Sequence, residues 1–208
     1  MHVLSQIKEQ KVIAIIRGYN PEEAVSIAGA LKAGGIRLVE ITLNSPQAIK
    51  AIEAVSEDFG DEMLIGAGTV LDPESARAAL LAGARFILSP IVHEETIKLT
   101  KRYGAVSIPG AFTPTEILKA YESGGDIIKV FPGTMGPGYI KDIHGPFPHI
   151  PLLPTGGVGL ENLHEFLQAG AVGAGIGGSL VRAHQDVNDA FLEVLSKKAK
   201  QFVEAAKQ

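Results

Sequence analysis

Short runs of Ile, Val and Leu alternate with amphipathic segments along the whole chain. Apolar runs of roughly four to eight residues between turn residues are typical of buried strands, whereas apolar residues three or four positions apart indicate helices. The pattern predicts eight strands, at 12–17, 38–43, 64–70, 86–90, 105–109, 127–131, 151–155 and 173–177. Helices are predicted between and after them, at 21–33, 46–57, 73–82, 94–103, 114–123, 160–169 and 186–206.

A weak internal repeat precedes every second strand. Four helices end in a glycine group: Ala33-Gly34-Gly35, Ala82-Gly83-Ala84, Ser123-Gly124-Gly125 and Ala169-Gly170-Ala171. Glycine ends a helix by adopting the left-handed conformation, so these groups define a unit of two strand–helix pairs that occurs four times. Residues 1–208 are therefore predicted to form a single α/β domain, a closed (β/α)₈ TIM barrel. An open doubly wound sheet is the alternative, but Arg17-Gly18-Tyr19-Asn20-Pro21 follows the first strand where that fold would place Gly-x-Gly-x-x-Gly.

Composition limits the classes of function. The formal net charge is −4 and lysines are scattered, which is a poor basis for binding nucleic acid. No apolar run approaches the roughly 20 residues that a membrane-spanning helix needs. The first residues show no export signal, and the cytoplasm is the expected compartment.

Metal binding and thiol chemistry are not expected from the residue types. The chain has no cysteine, which excludes disulfides, thiolate metal sites and cysteine nucleophiles. The histidines show no metal-ligand spacing, and we expect them at the surface: His2, His93, His144, His149, His164 and His184.

Three charged residues interrupt apolar strands: Arg17, Glu40 and Lys129. Alternate residues of a strand share a face. Four such sets are Ile13, Ile15 and Arg17; Glu40, Thr42 and Asn44; Ile65, Ala67 and Thr69; and Ile127, Lys129 and Phe131. In each set polarity increases toward the carboxyl end of the strand, where barrel active sites lie. The set Arg17, Glu40, Asn44, Thr69 and Lys129 is therefore predicted to converge on one mouth.

Lys129 is the candidate nucleophile. A buried ammonium beside another cation loses its proton readily, and the resulting amine can attack a carbonyl. The alternative is a lysine that points outward between helices, but Ile128 and Val130 suit the helical layer better. Glu40 could be an ion-pair partner of Arg17 or Lys129, although proton transfer is the better use of a carboxyl group beside a reactive lysine.

Two glycine groups predict a phosphate site. Pro154-Thr155-Gly156-Gly157-Val158 follows the seventh strand, and Gly175-Ile176-Gly177-Gly178-Ser179 follows the eighth. Glycines let backbone N–H groups approach an anion, a following helix N-terminus adds positive potential, and barrels often bind phosphate in these two loops. Ordinary turns are the alternative. A third group, Gly66-Ala67-Gly68-Thr69-Val70, lacks the Gly-Lys-Ser/Thr ending of a nucleotide loop and predicts close backbone approach beneath a substrate.

These residues resemble a known family along essentially the whole chain. The matching motifs are Val39-Glu40-Ile41-Thr42-Leu43, Gly66-Ala67-Gly68-Thr69-Val70, Ser89-Pro90, Ile108-Pro109-Gly110, Ile128-Lys129-Val130-Phe131-Pro132, Pro154-Thr155-Gly156-Gly157 and Gly177-Gly178-Ser179. Together they are similar to the 2-keto-3-deoxy-6-phosphogluconate (KDPG) and 4-hydroxy-2-oxoglutarate (KHG) aldolases. The resemblance implies a homotrimeric barrel that cleaves a 2-keto-3-deoxy sugar acid phosphate to pyruvate and glyceraldehyde 3-phosphate, without a metal or cofactor.

The resemblance also implies residue roles. Lys129 would form a Schiff base with the keto carbon, and Glu40 would transfer protons. Thr69 would hold the pyruvyl carboxylate, and Arg17 would face the polar end of the substrate. The remaining positions are implied to wall the imine (Pro90, Phe131), to lie beside the substrate (Thr155) and to hold phosphate (Gly156, Gly157, Gly177, Gly178, Ser179).

One position departs from the gluconate-type pattern, because Asn44 stands where those enzymes usually carry an arginine that helps to bind the carboxylate. Leu43-Asn44-Ser45-Pro46 resembles the 6-phosphogalactonate branch, whereas Pro154-Thr155-Gly156-Gly157 resembles the gluconate branch. The gluconate-type substrate is predicted, with the galactonate epimer and 4-hydroxy-2-oxoglutarate as alternatives. Two other classes stay open from the residues alone, a sugar-phosphate isomerase or epimerase and a non-catalytic binder of phosphorylated metabolites.

Overall fold

The structure is a computed structural model that describes residues 3–207, so His2 lies outside the described residues. The strands are β1 (Val12–Ile16), β2 (Leu38–Thr42), β3 (Leu64–Gly68), β4 (Phe86–Leu88), β5 (Val106–Ile108), β6 (Gly110–Ala111), β7 (Ile128–Val130), β8 (Leu152–Pro154) and β9 (Ala174–Ile176). The α-helices are α1 (Val3–Gln10), α2 (Pro21–Ala33), α3 (Ala48–Phe59), α4 (Pro73–Leu81), α5 (Glu94–Arg102), α6 (Pro114–Glu122), α7 (Pro137–His144), α8 (Leu163–Gln168) and α9 (Asp189–Ala205), and residues Gly133–Met135 form a 3₁₀ turn.

The strands form two parallel sheets. One sheet has six strands in the order β5-β4-β3-β2-β1-β9, and the other has three in the order β6-β7-β8. Two single bridge pairs, Leu152 with Ala171 and Thr155 with Gly175, join the three-stranded sheet to the chain around β9. The predicted α/β class and parallel pairing are confirmed, but the strand pairing defines a half-barrel of six strands and a separate sheet of three, not one continuous eight-stranded barrel.

The apolar residues divide into an outer layer and an inner cluster. Val12, Ala14 and Ile16 of β1 pack in the outer layer with the helices, whereas Ile13 belongs to the inner cluster. The other buried members of the inner cluster are Ile7, Leu38, Phe86, Leu88, Val106, Ile108, Ile127 and Leu153. Since Ile7 lies on α1, that helix covers the amino ends of the strands and leaves their carboxyl ends for a site.

Most predicted helix boundaries follow local capping chemistry. Asn20 and Glu23 form a capping box at the start of α2 with Pro21 in the first turn, and Thr113 and Glu116 do the same for α6. The predicted left-handed glycines are confirmed, because Gly35, Gly83, Gly124 and Gly170 all have positive φ.

The differences from prediction are few. Helices α1 and α7 and the short strand β6 were not predicted, α8 begins at Leu163, and α9 begins at Asp189. Within residues 3–207, no helix combines the length and the apolar character that crossing a membrane requires.

Candidate active site

Lys129 and Glu40 lie together inside the protein. Lys129, on β7, is 4% exposed, and Glu40, on β2, is 0% exposed. The neighbours of Lys129 along its strand, Ile128 and Val130, belong to the outer layer. Because side chains alternate along a strand, the lysine points inward, away from the helices.

The carboxyl group of Glu40 occupies space that only a glycine leaves open. A Cβ atom at Gly68 would lie 1.5 Å from Glu40 Oε1, so any side chain there would expel the carboxyl group. Both carboxyl oxygens are buried, and neither has a hydrogen-bond partner among residues 3–207. Burial raises the pKa of Glu40, and the nearby charges of Lys129 and Arg17 oppose that rise.

The pKa of the Lys129 amine is shifted in the opposite direction, to a lower value. Burial lowers the pKa of Lys129, Glu40 opposes this shift, and Arg17 lowers the pKa further. The Lys129 Nζ atom lies 4.9 Å from the centroid of the Phe131 ring. The lowered pKa of Lys129 favours the uncharged amine, which is the form that attack on a ketone needs.

A cavity of about 540 Å³ opens at the carboxyl ends of the strands. Its lining residues are Ile15, Arg17, Phe131, Thr155, Gly156, Gly157, Val158, Glu161, Gly177, Gly178, Ser179, Val181 and Ala183. The structure thus brings together eight of the residues predicted for substrate or phosphate binding. Thr155 is 4% exposed, and its Oγ1 is buried without a hydrogen-bond partner among the described residues.

Both glycine groups lie in the wall of this cavity. Gly156 and Gly157 have φ values of 85° and 74°, which a side chain would strain. At Gly177 and Gly178 an added Cβ would meet nothing within 4 Å. Helix α8 begins at Leu163 and α9 at Asp189, each three residues after its predicted start, so neither helix begins directly after its glycine loop.

Five predicted site residues do not line the cavity: Lys129 and Glu40 are enclosed in the interior, and the other three lie in loops. Asn44 is exposed in the turn after β2, Thr69 is half-buried with a φ of 56°, and Pro90 is half-buried beside the backbone of Gly110. The predicted inward face of β3 is also wrong. Ile65 and Ala67 pack in the outer layer, and the glycines between and after them face the interior.

Sequence reasoning did not identify every residue of the cavity wall. Glu161, Val181 and Ala183 lie in the loops after β8 and β9, outside the two predicted glycine groups. Within residues 3–207, no group of three or more His, Asp or Glu side chains is arranged to hold a metal ion. Of the histidines in that range, His149 and His184 are exposed and the others are half-buried.

Comparison with known proteins finds one family model and several relatives that match most of this chain. The family model "KDPG and KHG aldolase" matches residues 3–194. The 2-dehydro-3-deoxy-6-phosphogalactonate aldolase of Escherichia coli (strain K12) is 41% identical over 199 residues, covering 95% of each chain. The 2-dehydro-3-deoxy-phosphogluconate aldolase of Pseudomonas aeruginosa is 37% identical over 162 residues, 77% of this chain and 73% of that one. A crystal structure of the KDPG aldolase from Legionella pneumophila, with pyruvate captured at low pH as a covalent carbinolamine intermediate, has a TM-score of 0.87 and 32% identity, covering 96% of this chain and 97% of that one.

Proposed function

The chain belongs to the KDPG and KHG aldolase family, and on that premise we propose that it is a Schiff-base-forming, class I aldolase. The substrate is a 2-keto-3-deoxy-6-phospho sugar acid of the gluconate type, and the products are pyruvate and glyceraldehyde 3-phosphate. The observation that carries this proposal is the buried amine of Lys129, with its lowered pKa, near a buried carboxyl group and 4.9 Å from the ring of Phe131, which lines the cavity.

The reaction depends on proton transfer between Lys129 and Glu40. Glu40 takes a proton from the Lys129 ammonium, the uncharged amine adds to the C2 ketone, and Glu40 then donates that proton so that the carbinolamine oxygen leaves as water. The resulting iminium accepts the electron pair of the C3–C4 bond when a base, Glu40 acting directly or through water, takes the proton of the C4 hydroxyl. The aldehyde departs, C3 of the enamine is protonated, and hydrolysis of the iminium releases pyruvate and the free amine.

The roles of the other residues rest on the resemblance and on their positions. Phe131 is adjacent to the Lys129 amine and walls the imine, and the resemblance gives Pro90 the same role. Thr69 holds the pyruvyl carboxylate with help from Asn44. Arg17 supplies positive charge at the polar end of the substrate, because it lines the cavity and its charge acts on both Lys129 and Glu40.

The glycine loops hold the phosphate through their backbone N–H groups. Gly156, Gly157, Gly177, Gly178 and Ser179 all line the cavity, on two neighbouring loops. Support for this role comes from the open space at Gly177 and Gly178, where an oxyanion could approach the main chain.

Release of pyruvate tests this proposal. Purified protein should release pyruvate from 2-keto-3-deoxy-6-phosphogluconate, and an excess of EDTA should leave the rate unchanged. An isomerase or epimerase would convert a sugar phosphate without producing pyruvate. A non-catalytic binder would show a higher Tm with the substrate and no turnover. Either result would contradict the aldolase assignment.

The choice of epimer depends on Thr155. Its buried hydroxyl has no hydrogen-bond partner among the described residues, and Thr155 lines the cavity, so we propose that this hydroxyl binds one substrate hydroxyl. A hydroxyl of the other configuration would leave Thr155 Oγ1 unpaired, and an unpaired buried polar group costs about 1–3 kcal/mol. The galactonate-type epimer and 4-hydroxy-2-oxoglutarate are the alternative substrates, in keeping with Asn44.

We expect Thr155→Val to lower the ratio of kcat/KM for the gluconate epimer over the galactonate epimer by about 10-fold. Measuring both epimers side by side in the two proteins checks this. Thr100→Val is the matched control, because Thr100 is also buried and its hydroxyl donates to the Thr96 carbonyl within α5, at 2.7 Å. An unchanged epimer ratio in Thr155→Val would contradict the role.

We propose that the two sheets together form one closed eight-stranded barrel. Support comes from Pro109, which alone separates β5 from β6, so that the two strands are parts of one extended segment. The Lys129 N–H donates to the Pro109 carbonyl at 2.9 Å, and the Asp126 N–H donates to the Ser107 carbonyl at 2.9 Å. On the other side, the bridge from Thr155 to Gly175 links β8 to β9.

We also propose that the protein is a homotrimer and acts in the cytoplasm. Large apolar side chains are exposed in loops after the strands, including Leu71 at 50%, Ile91 at 46% and Met135 at 62%. Burial between subunits would remove such surface from water. The compartment follows from the substrate, since its carboxylate and phosphate charges prevent unaided passage through a bilayer.

Light scattering should therefore report a particle of three times the 21.9 kDa chain mass. A mass equal to one chain at micromolar concentration would contradict the trimer. Replacing Met135 with Lys places a charge on the exposed apolar surface and is expected to shift the mass toward that of the monomer if this surface is buried between subunits.

A further inference from the structure

The loop after β8 is held by side chains at three consecutive residues. The Asn162 Nδ2 atom donates to the Gly157 carbonyl at 2.9 Å, and the Gly159 N–H donates to Asn162 Oδ1 at 2.9 Å. Between them, the Ser179 hydroxyl donates to the Val158 carbonyl at 2.6 Å. Ser179 belongs to the loop after β9, so this last bond ties the two glycine loops to each other.

The side chain of Asn162 does not cap the helix that follows it. It stands at the N-cap position of α8, where an asparagine side chain ordinarily accepts a hydrogen bond from the first turn of the helix. Here it makes no such bond, and both polar atoms of its amide turn back to the loop. A bidentate contact of this kind fixes the loop more firmly than a cap would, and it restrains Gly157, whose φ is positive.

The contact also fixes the direction of a backbone N–H group. The Gly157 carbonyl and the Val158 N–H belong to one planar trans peptide and point in opposite directions. With the carbonyl bound to Asn162, the Val158 N–H is turned the other way, and it donates to no group within residues 3–207. Both Gly157 and Val158 line the cavity.

Ser179 is constrained in a similar way. A hydroxyl group has one proton to donate, and that of Ser179 goes to the Val158 carbonyl. The carbonyl oxygens of Gly157 and Val158, which would repel an anion, are thus both bound to side-chain donors. The groups that these loops can offer to an anion are therefore their main-chain N–H groups.

We infer that Asn162 is a positioning residue that holds the loop after β8 in its phosphate-binding shape by binding the Gly157 carbonyl and the Gly159 N–H. Ser179 braces the same loop with its hydroxyl and meets the phosphate with its N–H. This inference rests on the proposed function, in which the two glycine loops receive the substrate phosphate.

Replacing Asn162 with alanine removes both bonds. We expect KM for the phosphorylated substrate to rise about 10-fold, because two hydrogen bonds that order the loop are lost. The kcat value and the kcat/KM for unphosphorylated 4-hydroxy-2-oxoglutarate should stay within about twofold of the wild type, because that substrate makes no use of the loop. Inhibition by inorganic phosphate should weaken by the same factor as the KM rises.

Asn162→Asp is a second variant, and its side chain has nearly the same shape as asparagine. It keeps an acceptor for the Gly159 N–H, loses the donor to the Gly157 carbonyl and adds a negative charge, so its KM for the phosphorylated substrate should rise more than that of Asn162→Ala. Asn188→Ala is the matched control, since Asn188 Oδ1 accepts the Phe191 N–H at 3.0 Å at the start of α9, and its kinetics should match the wild type.

Two results would overturn the inference while the proposed function stands. In the first, the wild type has a higher kcat/KM for the phosphorylated substrate than for 4-hydroxy-2-oxoglutarate, and Asn162→Ala has the same ratio of the two kcat/KM values. In the other, both substrates lose activity equally in Asn162→Ala and Asn162→Asp. If wild type shows neither a preference for the phosphorylated substrate nor inhibition by phosphate, the phosphate site and the role of Asn162 both fail.

Discussion

Replacing Lys129 with alanine should reduce kcat/KM for aldol cleavage by about 10⁴-fold or more, since the covalent route through the iminium disappears with the amine. No described neighbour can take its place, because the other lysines of residues 3–207 are not buried. In wild type, borohydride added with pyruvate should fix a pyruvyl mass on Lys129. Peptide mass spectrometry should find no such adduct in the variant.

Loss of activity in this variant must be separated from loss of folding. The pKa of Lys129 in the folded state lies below its unfolded value, so the unfolded chain binds more protons between those two values. The lysine therefore costs stability at every pH below its ordinary value of 10.5, in full once the pH is below the folded-state pKa. Lys129→Met, which keeps most of the volume, should be as inactive as alanine and should melt at the same Tm or a higher one.

A remote lysine gives the matched control for trapping and activity. Lys119 has a side chain that is 61% exposed and lies 3.1 Å from Glu94, so Lys119→Ala should retain both the pyruvyl adduct on Lys129 and full turnover. Measurable cleavage by Lys129→Ala, or a pyruvyl adduct on another lysine of the wild type, would contradict the assignment of the nucleophile.

Features set by a few neighbouring residues could be predicted from the sequence. Helix α2 begins at Pro21 because Asn20 and Glu23 satisfy the first N–H groups, and both residues lie within four positions of one another. Lys129 and Glu40 stood out because a charge inside an apolar strand has few explanations other than a site. These signals are local, and tertiary packing did not override them.

The inward face of β3 shows where local pattern is insufficient. Alternation placed Ile65, Ala67 and the polar Thr69 on one face, and the other face offered only glycines, which have no side chain to mark it as interior. The structure needs the glycines inside, because a Cβ at Gly66 would lie 2.2 Å from the Phe86 ring and one at Gly68 would collide with Glu40. Contacts with β2 and β4 therefore decide which face of β3 points inward. The alternation of residues within β3 carries no information about those contacts.

Asn162 was missed for a related reason. Asn162 lies inside the predicted helix 160–169, where nothing marked it, and its actual partners depend on the left-handed turn at Gly157. The division into two sheets likewise depends on the strand pairing around β8 and β9, where the bridges are single pairs, and the repeat of glycine groups does not predict that pairing.

Glu40→Gln should lower kcat by about 10²–10³-fold and change KM little, because general acid–base catalysis by a positioned side chain contributes about that much to the rate. Glutamine has nearly the same shape, so the cavity and the position of Lys129 are retained. Rapid mixing with pyruvate and borohydride should still modify Lys129, but more slowly, since formation of the imine also needs proton transfer. An unchanged kcat would remove Glu40 from the chemistry.

The pH dependence of kcat/KM distinguishes proton transfer between Glu40 and Lys129 from a purely structural role. Activity on the acidic side requires an uncharged Lys129, so the acidic limb follows the pKa of that amine. The negative charge of Glu40 raises the pKa of Lys129, and Glu40→Gln should therefore move the limb to lower pH. The positive charge of Arg17 lowers the same pKa, and Arg17→Gln should move the limb to higher pH. If these charges act on the amine, removing a negative charge and removing a positive charge must move the acidic limb in opposite directions. Shifts in the same direction in the two variants, or no shift, would show that the charges do not act on Lys129.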